Sequence, residues 1–187
     1  MIKGRHSTPA EMLMESLDEL LFAVKYCVTY KKSDRKLWVE PHALGGILGF
    51  PATTLLFTIV DTIGSYCDNL EVEIDGKKRK IRPGDVKSHY YILNSEYFNL
   101  NLSYNDILQL YRYARSTLSH NSIIGKEILL HPRGAKPFIK VNSQSGKGRY
   151  TIYILSFYEA CMTAVALFKE DINDIVPSSE NGRGFKS

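Results

Sequence analysis

Tyr111-Arg112-Tyr113-Ala114-Arg115-Ser116-Thr117-Leu118-Ser119-His120-Asn121 is the stretch on which the reading of this chain turns. It sets Arg115 and His120 five positions apart, where a tyrosine-rich helix runs out into a turn. The helix opens upstream at Ser103-Tyr104-Asn105-Asp106, a hydroxyl cap with an acid in the first turn. Ile107, Tyr111, Ala114 and Leu118 then recur at spacings of four, three and four, which predicts a stripe facing a core. Arg115 lies one step round from that stripe, and Ser116 and His120 are four apart on a neighbouring side. The arginine and histidine therefore do not stack on one face. They converge only if the helix ends near Ser119 and the turn at Asn121 brings the imidazole back.

The chemistry of the two side chains is complementary. An arginine neutralises phosphate oxygens with a planar fork of N–H donors, and a histidine exchanges a proton near neutral pH. An RNA phosphodiester can be broken without a metal if the neighbouring 2′-hydroxyl is deprotonated and the charge developing at phosphorus is neutralised. Positioned proton transfer contributes about 10²–10⁴-fold to such a step, and the arginine supplies the charge. One histidine and one arginine make half a site. A symmetric dimer apposing two copies supplies two of each.

Outward from the motif, the pattern is mainly helical. Thr8-Pro9-Ala10-Glu11 is a helix start with a cap, a proline at the first helical position and a glutamate to close the box. Apolar residues at helical spacing carry that helix over residues 9–30. A second helix is expected over 52–68, apolar nearly all round and so buried between others. The glycines before it (Gly45, Gly46, Gly49) read as turns. Residues 70–81 read as a β-hairpin around Asp75-Gly76, pairing Glu73 with Lys78 and Glu71 with Lys80. A further helix is expected over 86–98. After the motif come three short strands, 127–131, 136–141 and 149–154, with turns between them. Ser156-Phe157-Tyr158-Glu159 reads as a capping box opening a last helix to about 171. The segment 177–187, rich in Ser, Gly and Asn, is expected to be a disordered tail. The domain expected is thus 1–176, mainly α, with β insertions at about 70–82 and 126–153.

The 187 residues carry a net charge of +4, unevenly spread. Residues 125–150 hold six basic side chains (Lys126, Arg133, Lys136, Lys140, Lys147, Arg149) against Glu127 alone. A local excess of that kind attracts a polyanion; the plainer reading is a solvated β-ribbon. Three cysteines, Cys27, Cys67 and Cys161, lack the paired spacing of a zinc site and read as buried apolar groups in a reducing compartment. Residues 43–60 carry no charge, but glycines and Pro51 interrupt the first half, so no membrane span is expected and a cytoplasmic protein is. His6, His42, His89 and His131 show no ligand spacing, so no metal and no cofactor is expected. The tyrosines are expected to pack in a core or a dimer interface more than to stack on bases.

Arg115-Ser116-Thr117-Leu118-Ser119-His120-Asn121, closing a helix in a mostly helical chain of this size, resembles the R-x4-6-H motif of the HEPN superfamily. The resemblance implies a compact bundle of four to five helices, here with a small hairpin and β-meander inserted. It implies a metal-independent endoribonuclease whose site forms across a homodimer, of the kind found in toxin–antitoxin and defence systems. By position, Arg115 and His120 would be the catalytic pair, with Ser116 and Asn121 in support. Ser116 departs from the Asn, Asp or His more usual at its place, whereas Leu118 and Asn121 fit a common form of the motif. The basic residues from Lys126 to Arg149 would hold RNA, and an antitoxin or other protein is a further expected partner. The alternative is a catalytically inactive module of the same build that binds RNA, a nucleotide or a protein. A third reading is a helical interaction protein in which Arg115 pairs with a carboxylate such as Asp61 or Glu159 and His120 caps its helix.

Overall fold

The computed structural model describes residues 7–34, 37, 46–118, 124–142 and 148–183. Its body is three long helices in mutual contact. The first, α1 (Pro9–Thr29), starts where expected: the Thr8 hydroxyl accepts from the Glu11 amide at 3.2 Å, and the Glu11 carboxylate accepts from the Ser7 amide at 2.6 Å. Leu13, Leu17, Val24 and Val28 form its buried face. The second, α2 (Gly49–Tyr66), begins three residues earlier than its sequence pattern suggested. Gly49 and Pro51, read as turn, make its first turn, where a proline removes only an amide that has no intrahelical acceptor. Leu56, Phe57, Ile59, Val60 and Ile63 are all buried, so α2 is the central helix of the core.

The hairpin follows as β1 (Glu71–Ile74) and β2 (Lys77–Lys80), in the expected register with Glu73 opposite Lys78 and Glu71 opposite Lys80. Asp75 and Gly76 both take left-handed backbone, φ +53° and +68°, as a two-residue type I′ turn requires. The next segment differs from expectation. In place of one helix over 86–98 there is a single turn, α3 (Val86–His89), that tightens into a 3₁₀ turn at Tyr90–Asn94. Tyr90, Tyr91, Ile92 and Leu93 are all buried, and no single face of an α-helix can bury four consecutive side chains. The Ser95 hydroxyl then donates to the Ile92 carbonyl at 2.7 Å and closes the turn.

Ser103 caps α4 (Tyr104–Leu110) by accepting from the Asp106 amide, and the helix widens at once into a π-helical turn over Tyr111–Ser116. The buried stripe is Ile107, Leu110, Ala114 and Leu118. Leu110 takes the buried place expected of Tyr111, which lies on the flank with its ring edge-on to Tyr90 at 5.3 Å.

The expected strands form β3 (Ile128–His131), β4 (Phe138–Asn142) and β5 (Gly148–Tyr153), in the order β3-β5-β4 with β3 parallel and β4 antiparallel to β5. Phe138 drives the sheet into the helical core, its ring centroid 4.7 Å from Phe157 and 6.3 Å from Phe57.

The last helix, α5 (Ile154–Ser178), grows directly out of β5 and is longer at both ends than the expected 156–171. Ser156 is inside it rather than its cap, and donates instead to the Gly134 carbonyl in the loop between β3 and β4. The segment from residue 177, expected to be disordered, is ordered as far as Arg183. Pro177 lies in the final turn of α5, and a short α6 (Glu180–Arg183) docks back on α2. The Glu180 amide donates to the Asp68 carboxylate at 2.6 Å, Asn181 donates to the Ser65 carbonyl at 2.9 Å, and Gly182 is buried. Residues 184–187 of that segment lie outside the described residues. Among the described residues the architecture is mainly α with two small sheets. Among the described residues, no helix is long and apolar enough to cross a membrane.

Candidate functional site

A charged residue on a helix as buried as α2 must find partners, because an unpaired ion in the interior is costly. Asp61 is that residue, and it has two. Its Oδ2 accepts from Nη2 of Arg115 at 2.7 Å, and its Oδ1 lies 2.8 Å from Nδ1 of His89. Three elements are joined at one carboxylate: α2, the end of α3, and the π-helical turn after α4. The side chains are 20% (Asp61), 23% (Arg115) and 9% (His89) exposed, so the cluster sits at the edge of the core with one side open.

The close approach of α2 to α3 depends on Gly64. A Cβ there would lie 2.3 Å from the His89 carbonyl oxygen and 2.7 Å from its Cβ. Only a residue without a side chain lets His89 reach Asp61 one helical turn away. Below the ion pair, the Tyr90 ring is fully buried, with its hydroxyl donating to the Phe57 carbonyl at 3.3 Å. Burial above all pushes the Tyr90 phenol well above its ordinary range, so it stays neutral beside Arg115. Tyr111, four residues before Arg115, lies under the guanidinium at 5.9 Å from ring centroid to Cζ.

Burial alone would raise the Asp61 carboxyl. The hydrogen bonds from His89 and Arg115, with their charges, outweigh it and hold the group below the ordinary carboxylate range. Asp61 is therefore an anion at any physiological pH. An anion at Nδ1 favours the tautomer that donates from Nδ1, so the hydrogen bond runs from the imidazole to the carboxylate. A guanidinium carries five N–H donors, and among the described residues the Asp61 carboxylate takes one of them, at 2.7 Å.

The sequence-derived site residues divide as follows. Arg115 is paired within the chain with Asp61, one of the two carboxylates the sequence suggested; the other, Glu159, is exposed and not its partner. Ser116 is half-buried on the same π turn. His120 and Asn121 lie outside the described residues, as does Lys147. Lys126, Arg133, Lys136, Lys140 and Arg149 are all exposed, but they do not share one face. Lys140 stands opposite Tyr150, whereas Arg149 is the strand neighbour of Tyr150, so Lys140 and Arg149 project from opposite sides of the sheet. Lys140 is also committed: its Nζ is 3.5 Å from Asp106, which the Tyr150 hydroxyl also contacts. Tyr90, Tyr91 and Tyr97 are core residues, as expected. The three cysteines are buried, and burial raises each thiol.

His89 is the member that sequence reasoning passed over as a helical histidine. A signal did exist. Asp61 is the first charge after eighteen uncharged residues, in a helix apolar all round, and such a carboxylate requires cationic or imidazole partners. Among the described residues, no group of three or more His, Cys, Asp or Glu side chains is arranged to hold a metal ion. A cleft of about 670 Å³ at the other end of α4 is lined by Glu73, Asp75 and Asp106 with Asn94, Asn99 and Asn101, a polar and acidic surface unsuited to a polyanion. No family model matches this chain, and comparison with curated proteins and with solved structures gave no match either.

Proposed function

We propose that the chain is a HEPN-like, metal-independent endoribonuclease that acts as a homodimer, with Arg115 as the phosphate-neutralising group and His120 as the proton-transfer group. One imidazole would take the proton of the RNA 2′-hydroxyl as its oxygen attacks phosphorus. The 5′-oxygen would leave with a proton from the second imidazole of the pair, giving a 2′,3′-cyclic phosphate and a free 5′-hydroxyl. Arg115 would neutralise the charge gathering on the non-bridging oxygens.

The observation that carries this reading is the state of Arg115. Its guanidinium is 23% exposed and is held by Asp61 through one of its five N–H donors, at 2.7 Å. A cation fixed in advance by a carboxylate suits charge stabilisation. The purified protein is expected to cleave single-stranded RNA in EDTA and leave cyclic-phosphate ends. Arg115→Ala and His120→Ala should each abolish that cleavage, and cleavage at the parental rate by either variant contradicts the assignment.

One observation favours a second reading. Asp61 already balances the charge of Arg115, the pairing expected of a helical interaction protein whose arginine is structural. In such a protein His120→Ala would lower the melting temperature markedly with no effect on RNA.

A further inference from the structure

We propose that Asp61 is a positioning residue for Arg115, with His89 as the strut that fixes the Asp61 carboxylate, so that the orientation of the guanidinium is set from α2 and α3 rather than by its own helix. The inference rests on the reading of Arg115 as the phosphate-neutralising group. Three observations carry it. First, Arg115 sits on a π-helical turn, Tyr111–Ser116, a departure from the α-helix that turns it toward α2 rather than along its own helix face. Second, Asp61 uses one oxygen for each partner, Oδ1 for His89 at 2.8 Å and Oδ2 for Arg115 at 2.7 Å, which fixes the carboxylate plane at both corners. Third, Gly64 brings the His89 backbone against α2, and the His89 side chain is 9% exposed, so the strut is anchored at its base and packed along its length. Arginine has several rotatable bonds, and a carboxylate held at two corners removes most of that freedom before any phosphate arrives. In this arrangement Asp61 and His89 do not touch RNA; they act through Arg115.

The test has two readouts that fail separately. In the parent protein, the Arg115 guanidinium should give a side-chain NMR signal with slowed rotation about Nε–Cζ, and Asp61→Asn should restore rapid averaging. In RNA cleavage, Asp61→Asn should lower kcat by about 10²-fold, the scale of a misplaced catalytic group, with KM changed less than about twofold. His89→Gln should give the same pattern at about a tenth of the size. A freely averaging Arg115 signal in the parent overturns the proposal without any variant. So does an Asp61→Asn variant with parental kcat, or one whose loss appears in KM alone. If the parent does not cleave RNA, the nuclease reading fails, while the guanidinium signal still decides whether Asp61 holds Arg115.

Discussion

The two ends of the helix that runs from Tyr104 to Ser116 are built on the same plan with different parts. At its start, the Asp106 carboxylate gathers the Tyr150 hydroxyl and Lys140 from the sheet. At its end, Arg115 is gathered by Asp61, which also holds His89. The two carboxylates are equally exposed, at 21% for Asp106 and 20% for Asp61, so burial of the acid is not what separates them. Their partners do. Lys140 is 42% exposed and 3.5 Å away, a flexible cation on the rim. Arg115 is 23% exposed at 2.7 Å, and its companion is a buried imidazole. The Asp106 cluster stitches a sheet to a helix beside an acidic cleft. The Asp61 cluster holds a cation in a set position. Both fit the helix dipole, with the acid at the first turn and the arginine at the last.

That contrast can be broken at graded points. The largest effect is expected from Gly64→Ala, whose Cβ meets the His89 backbone. It should destabilise the fold by about 3 kcal/mol in denaturant unfolding and disturb Asp61 while leaving the Asp106 end intact. Next, Asp61→Ala strands a half-buried guanidinium and an imidazole and should cost about 2 kcal/mol, less than a fully buried pair because the cluster is open on one side. Asp106→Asn, which keeps a hydrogen-bonding oxygen for Tyr150, should cost about 1 kcal/mol. Lys78→Ala, which removes only the exposed contact to Glu71 on the hairpin, should change stability by less than about 0.5 kcal/mol.

Acid sharpens the comparison. Both carboxyls are held below their ordinary value in the folded state, in each case because hydrogen bonds and cations outweigh the raising effect of burial. A depressed folded pKa contributes stability that is complete above the unfolded carboxylate value, about 4, and is lost as pH falls through the folded value. The melting temperature should therefore be insensitive to these groups near neutrality and decline below about pH 4. Asp61→Asn and Asp106→Asn should each make that acid decline shallower. A steeper decline in either variant would contradict the assigned direction.

What the sequence revealed and what it hid follow the range of the interactions. The hairpin register, the caps at Thr8 and Ser103 and the three strands were legible because each is decided within a few residues. The 3₁₀ turn at Tyr90–Asn94 was not, because it answers to burial on all sides, a tertiary demand. Docking of α6 was hidden for the same reason: a polar, glycine-bearing tail carries no periodicity, yet its backbone finds Asp68 and Ser65 more than a hundred residues away. At the site, Arg115 stood out by its spacing from His120, and Asp61 as a charge amid apolar helix. His89 did not stand out, because its meaning lies in a contact spanning 28 positions and in the missing side chain of Gly64.

Cleavage of a single-stranded RNA in EDTA, measured side by side for the parent, Arg115→Ala and His120→Ala, tests the central claim most directly. Cyclic-phosphate products from the parent and none from either variant are the predicted result. Equal product from all three, or none from the parent under conditions in which it binds the RNA, would contradict it.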